Sequence, residues 1–246
     1  MNRSGLIALG LITFLLAGWE GAVRIWAIPV FILPPPSLIL KTAVVQAPMI
    51  LPHAAVTGTE IVLGIVLALT TAIPLAIAMF ARPVLEKALS PFLVASQAIP
   101  VFALAPLLVI WLGYGMASKV FMAWIIIFFP ITVSLVQGLK SCDPEYRTLF
   151  SLMGASFLKT LTLLYWPWAL PRFFAGLRVG VSVATIGAVI GEWVGAQQGL
   201  GFLMIQSNAR LQTPLVFAAI LWLAAMGMAL WTLVGILEKK IITWNT

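Results

Sequence analysis

Residues 56–81 read VTGTEIVLGIVLALTTAIPLAIAMFA. The stretch carries one charged side chain, Glu60 near its start, and one proline, Pro74. A helix needs roughly 20 mostly apolar residues to cross the hydrocarbon of a bilayer, and this stretch is long enough. The same pattern recurs on both sides of it, at about 5–26, 92–112, 118–138, 174–196 and 214–237. The expected fold is therefore an all-α integral membrane protein with six transmembrane helices.

Composition agrees. Of 246 residues, 62% are hydrophobic and 9% charged, with a mean hydropathy of +1.11. A soluble domain is about half apolar and a quarter charged. The chain has too few charges to solvate a globular surface, which excludes a soluble enzyme, a disordered tail and a nucleic-acid binder. The first span follows Met1-Asn2-Arg3-Ser4 and runs past Ala17-Gly18 to Ile25-Trp26. That is longer than the apolar core of a cleaved leader, so a retained anchor helix is expected.

The net charge is +7. With the N-terminus inside, Arg3, Arg82, Lys87, Lys140, Arg147, Lys159, Arg172, Arg178, Lys239 and Lys240 fall on the cytoplasmic side, and Arg24, Lys41, Lys119 and Arg210 fall outside. Ten against four follows the positive-inside rule and predicts both termini in the cytoplasm. The whole chain, 1–246, then reads as one membrane domain.

Two connections have structure of their own. Leu33-Pro34-Pro35-Pro36-Ser37 stops the chain, and Ser37 is the expected cap of a short external helix over about 37–46. Residues 139–173 form the longest and most polar cytoplasmic loop. Asp143-Pro144-Glu145 supplies an N-cap, a first-turn proline and a first-turn acid. A turn follows at Gly154-Ala155-Ser156, and Pro167 and Pro171 are expected to break the chain before span five. Two short helices joined by a turn predict a protrusion of defined shape.

Span five has a face of small residues: Gly176, Gly180, Ala184, Gly187, Ala188, Gly191 and Gly195, at steps of three or four. Small residues at this spacing let helices approach closely in lipid, either within the bundle or against a second copy of the chain.

Catalytic signatures are absent from the sequence. There is no G-x-x-x-x-G-K-[ST] phosphate loop and no H-E-x-x-H. Gly180-Val181-Ser182-Val183-Ala184 approximates a nucleophile elbow but ends in alanine and lies within a predicted helix. One histidine, His53, and one cysteine, Cys142, offer no metal-site spacing. Few acids lie near the membrane, where each is a functional suspect. Glu20 is expected to pair with Arg24 one turn on, Glu60 to reach water, and Glu192 to bond a neighbouring loop. No series of acids crosses the bilayer centre. Pro74, Pro100, Pro106 and Pro130 are expected to kink spans two to four. Trp19, Trp26, Trp193, Trp231 and Trp244 fall near interfaces, whereas Trp111, Trp124 and Trp222 lie where they either pack or stack on a flat solute.

Gly154-Ala155-Ser156, Pro167-Trp168-Ala169-Leu170-Pro171 and Gly176-Leu177-Arg178 together resemble the signature loop of binding-protein-dependent ABC transporter permeases. Gly191-Glu192-Trp193-Val194-Gly195-Ala196, Gly199-Leu200-Gly201 and Leu33-Pro34-Pro35-Pro36-Ser37 are similar to the nitrate/sulfonate/taurine branch. Leu107-Leu108-Val109-Ile110-Trp111-Leu112-Gly113-Tyr114-Gly115, Ser118-Lys119-Val120 and Phe128-Phe129-Pro130-Ile131 resemble its permeases for thiamine-precursor pyrimidines of the hydroxymethylpyrimidine type.

The resemblance implies a non-enzymatic importer subunit in a bacterial inner membrane, without a cofactor of its own. Its partners would be an ABC ATPase that binds ATP and Mg, an external or periplasmic solute-binding protein, and a second permease copy, as a homodimer. Residues 139–173 would be the coupling loop, with ATPase contacts from Thr148, Phe150, Leu152, Met153, Gly154, Ala155, Ser156 and Lys159. Gly176, Gly180, Ala184, Gly187 and Gly191 would form the packing or dimer face. One departure stands out: where the family usually has Glu-Ala-Ala, six to four residues before the loop glycine, this chain has Thr148-Leu149-Phe150. Coupling is then expected to rest on apolar contacts from Phe150, Leu152 and Met153. For the solute path the candidates are Ser96, Gln97, Ser182 and Thr185, each of which could instead bond a backbone carbonyl beside a kink. The alternatives are a permease for a sulfonate, taurine or nitrate, and an ion-coupled secondary carrier.

Overall fold

The computed structural model describes residues 3–244; the terminal Met1, Asn2, Asn245 and Thr246, which bear on the expected orientation, lie outside the described residues. Helices are α1 (Arg3–Ile25), α2 (Pro36–Val45), α3 (Ala47–Ala81), α4 (Pro83–Ala98), α5 (Val101–Leu112), α6 (Met116–Lys140), α7 (Pro144–Leu152), α8 (Phe157–Thr160), α9 (Trp166–Trp193), α10 (Leu200–Ala209) and α11 (Thr213–Ile241). No strand occurs among the described residues. Five helical segments are long and apolar enough to cross a membrane, and α4 with α5 makes a sixth only as a pair bent by 99°.

That bend corrects the single helix expected over 92–112. Ile99 adopts an extended backbone (φ −80°, ψ 120°) and Pro100 precedes the first turn of α5. The proline ring disfavours the helical conformation for the residue before it, so Pro100 ends one helix and starts another. Pro171 does the reverse of what was expected and lies inside α9. Pro167 does not break the chain either: it stands in the first turn of α9, directly after a turn that widens to a π-helix over Leu161–Tyr165. Helical structure thus runs from Phe157 to Trp193, well before the expected start at 174.

The contacts group the chain into two compact units. One comprises the chain up to Val56 together with Gln197–Ala224. Here Glu20 holds α1 and α2 together: its carboxylate accepts from Arg24 Nε (2.8 Å), Ser37 N (3.0 Å) and Ser37 Oγ (2.7 Å). Ser37 is therefore not the cap of α2, which begins one residue earlier at Pro36. The carboxylate of Glu20 instead receives the free first-turn N–H, as negative charge does favourably at a helix N-terminus. Thr213 donates to the Phe31 carbonyl (2.6 Å) and Trp222 to that of Ala43 (3.3 Å).

The second unit, Thr57–Ala196 and Ala225 onward, is built on α6 and α9. They run antiparallel in very close contact. A Cβ added at Gly176 would lie 2.5 Å from Ser134 Cβ, at Gly180 3.1 Å from Ile127 Cγ2, at Gly187 2.8 Å from Ala123 Cα, and at Gly191 3.1 Å from Lys119 Cα. The core beside this seam holds Ile127, Ile131, Leu135 and Leu139 of α6 at every fourth residue, with Val181, Ala184 and Ala188 of α9 and Ala68, Ala72 and Ala76 of α3.

Candidate functional site

Between α6 and α9 the chain forms an exposed protrusion. Asp143 accepts from Glu145 N (2.9 Å) and so caps α7. Gly154, at φ +66°, reverses the chain in a conformation that costs an L-residue about 1–2 kcal/mol. Its N–H donates to Ser151 O (3.0 Å), and the next N–H, of Ala155, donates to Phe150 O (3.1 Å). Ser156 caps α8 by accepting from Lys159 N (3.4 Å). Thr148 uses its hydroxyl on Pro144 O (3.0 Å). The tip is apolar and bare: Leu152 is 81% exposed and Met153 73%, with Leu149, Phe157 and Leu158 also exposed. Lys159 is exposed, whereas Phe150 and Ala155 are half-buried.

The base of the protrusion is clamped. Arg147 donates to Lys140 O (2.5 Å) and lies over the Tyr165 ring at 5.6 Å. Trp168 donates to Ser141 O (3.1 Å), Arg172 to Gln137 O (3.0 Å), and Lys140 pairs with Glu86 (2.8 Å). Cys142 is buried within this base, and burial pushes its thiol above the ordinary value, partly opposed by the Arg147 guanidinium.

Gly176, Gly180, Ala184, Gly187 and Gly191 are all buried, and the four glycines face α6 of the same chain. The candidate solute-path residues do not converge. Ser96 lines a cavity beside the α4–α5 break and bonds Leu93 O (2.8 Å). Gln97 is exposed one residue on. Ser182 donates to Arg178 O (2.7 Å), and Thr185 turns its methyl towards Gly227 of α11.

Sequence reasoning missed a buried polar cluster. Glu60 does not reach water: it is 3% exposed, and Thr57, Lys119 and Glu192 are equally enclosed. Thr57 donates to Glu192 Oε1 (2.6 Å), and the Glu60 side chain hydrogen-bonds Glu192. Lys119 Nζ donates to Tyr114 O and to Gly115 O (2.9 Å). The signal was present in the small residue Gly191, which lets Lys119 of α6 approach the backbone next to Glu192. No single span showed that three helices each contribute a polar group at one level. In the other unit, His53 accepts from Gly199 N (3.1 Å).

No group of three or more metal-ligating side chains occurs among the described residues. The number and apolar length of the helices are those of a multi-pass membrane protein. A family model described as the binding-protein-dependent transport system inner membrane component matches residues 60–243, and the chain belongs to that family. It is the permease subunit of an ABC importer of the inner membrane, which is not itself an enzyme and works with an ATPase and a solute-binding protein. That assignment displaces the secondary-carrier reading.

The chain is similar to the formylaminopyrimidine transport permease protein ThiX of Halalkalibacterium halodurans, 37% identical over 92% of this chain and 91% of that one. The riboflavin transport system permease protein RibX of Chloroflexus aurantiacus is 37% identical, over 97% of this chain and 91% of that one. The taurine transport system permease protein TauC of Escherichia coli is 29% identical, over 100% and 92%. The likeness to the taurine and thiamine-precursor permeases agrees with the branch read from the motifs.

Proposed function

We propose that this permease imports a thiamine-precursor pyrimidine or a close heterocyclic relative. It does so as two identical copies on two ATPase subunits, with both chain termini and the protrusion in the cytoplasm. The observation that carries the coupling role is the tip at Leu152, Met153 and Gly154: exposed, apolar, and held on a base tied to α6 and α9. Apolar surface of that kind gains free energy when a partner covers it, and a clamped base passes a push at the tip into the bundle. Nucleotide-driven closure of the ATPase pair then shifts the equilibrium between inward-open and outward-open bundles, provided the tip is gripped differently in each.

Two points support the solute. Two relatives with 37% identity carry pyrimidine and riboflavin in their names, both flat nitrogen heterocycles. Lys119 and Arg178, cations set within helices of the second unit, are both engaged: Lys119 with backbone carbonyls, Arg178 with Glu238 and over the Trp231 ring. Neither is left to receive a sulfonate or nitrate, the reading that the taurine permease favours.

The test is uptake by proteoliposomes holding the co-purified complex and its binding protein, offered formylaminopyrimidine, riboflavin, taurine and nitrate in turn. ATP-dependent uptake of a heterocycle is expected. Uptake of taurine or nitrate alone would refute the solute reading, and the lack of any co-purifying ATPase would refute the coupling role of residues 139–173.

A further inference from the structure

The break between α4 and α5 places polar backbone at a surface of the chain. At such a break the last carbonyls of one helix and the first N–H groups of the next have no partner within their own helix. Irregular backbone of this kind does not face lipid; it occurs where it is buried in protein or lines water. Yet the segment around it is exposed within the chain, with Val94 65% and Ile99 49% accessible. This face therefore looks onto a watery path or another protein chain, and interrupted helices are where transporters commonly hold their cargo.

Beside the break lies a cavity of about 320 Å³, bordered by Phe92, Ser96, Leu104, Trp124, Phe128 and Phe129. That volume is at the lower end of the range for small-molecule pockets, about 300–1,000 Å³. No charged side chain borders it. The indole of Trp124 is fixed: its Nε1 donates to Thr71 Oγ1 (2.8 Å), whose hydroxyl in turn donates to Leu67 O (2.7 Å). Its ring packs against those of Phe121 and Phe128, with centroids 4.6 and 5.3 Å away. With its N–H already used, the indole offers a ligand only its π surface. Four aromatic side chains, one hydroxyl and a broken backbone suit a ring that stacks and carries a few hydrogen-bonding edges. They do not suit a zwitterion such as taurine, whose charges would be left unpaired.

We propose that the solute rests in this cavity on its way through the permease, and that the cavity takes one planar, uncharged aromatic heterocycle, stacked on Trp124 and Phe128. The site rests on the importer reading above and deepens it.

The test uses the whole complex with Ser96→Cys in a Cys142→Ser chain and a water-soluble maleimide. The thiol at 96 is expected to label, and formylaminopyrimidine or riboflavin, at concentrations that saturate uptake, to slow labelling severalfold while taurine does not. Failure to label would show that lipid or the second copy covers this face, and would overturn the site. So would labelling that no heterocycle slows. In parallel, Trp124→Leu should lower heterocycle uptake about tenfold, the size of one lost stacking contact. ATPase content should be unchanged, and Trp124→Phe should retain most of the uptake. Unaltered uptake by Trp124→Leu would also overturn it. Heterocycle uptake by the parent complex without protection at position 96 sinks the site alone. Uptake of taurine and no heterocycle sinks the solute reading and, with it, the ring assigned to the cavity.

Discussion

The α6–α9 seam makes a sharp mutational prediction. A methyl group added at Gly176 would sit 2.5 Å from Ser134 Cβ and 2.7 Å from Pro130 O. Ordinary contact between carbon atoms begins near 3.5 Å, so the two helices must separate locally by about 1 Å. Overpacking of this kind costs about 1–3 kcal/mol. Against it stands the gain of about 0.5–1 kcal/mol from replacing a glycine inside a helix by alanine. Gly21 of α1 isolates that gain, because an added Cβ there meets nothing within 4 Å. The difference between Gly176→Ala and Gly21→Ala therefore equals the packing cost, about 1–3 kcal/mol. Gly58→Ala should fall between them, since its nearest contact, at 3.3 Å, is the movable Cε of Met226. The assay is thermal unfolding of the detergent-purified permease, followed by the fraction remaining monodisperse. If Gly176→Ala melts at or above Gly21→Ala, the backbone-to-backbone seam is wrong.

Three further outcomes are expected. At Gly154 an added Cβ would meet nothing within 4 Å, and the φ of +66° costs an L-residue only about 1–2 kcal/mol, so Gly154→Arg should still reach the membrane, but ATP hydrolysis should no longer drive uptake; normal uptake would contradict docking of the tip. Glu192→Leu removes the Thr57–Glu192 hydrogen bond, a loss of about 1.5–3 kcal/mol for a bond to a charged group, whereas Glu192→Gln keeps an acceptor there and should lose less in the same melting assay. Burial raises the Cys142 thiol above its ordinary value, so the neutral thiol contributes stability that is complete below the unfolded-state value and fades as pH rises through the folded-state value. Alkaline pH should therefore destabilise the native chain more than Cys142→Ala, and maleimide labelling of the folded complex at pH 8 should lag far behind that of the denatured chain.

The spans were legible because each announces itself through local composition: a bilayer demands apolar length, and 56–81 or 118–138 meets that demand without any partner. The start of α7 was legible for the same reason, since Asp143 and Pro144 act within one turn. What was not legible depended on groups far apart in sequence. Ser37 has the chemistry of a cap, yet Glu20, 17 residues earlier, takes both its N–H and its hydroxyl. Glu60 has the sequence position of a solvent-accessible helix end, but it is buried and its side chain bonds Glu192, on another helix far along the chain. The prolines differ in their effect: Pro100 stands at the break between two helices, whereas Pro171 lies inside α9 without ending it. The small-residue face was visible as a pattern, but its partner, α6, could not be chosen from spacing alone.

The protrusion leaves α6 at Lys140 and returns through Trp166 into α9, so both of its ends are rooted in the two helices that lie closest together. On the coupling reading proposed above, a push at Leu152 and Met153 would reach both helices together, because the glycines of α9 bring its backbone directly against side chains and backbone of α6. The pair would then act as one spar for that push. Glu86 ties the far end of α4 to Lys140 at the root of the spar, so the 99° elbow at the other end of α4 would be the joint that bends when the pair is pushed.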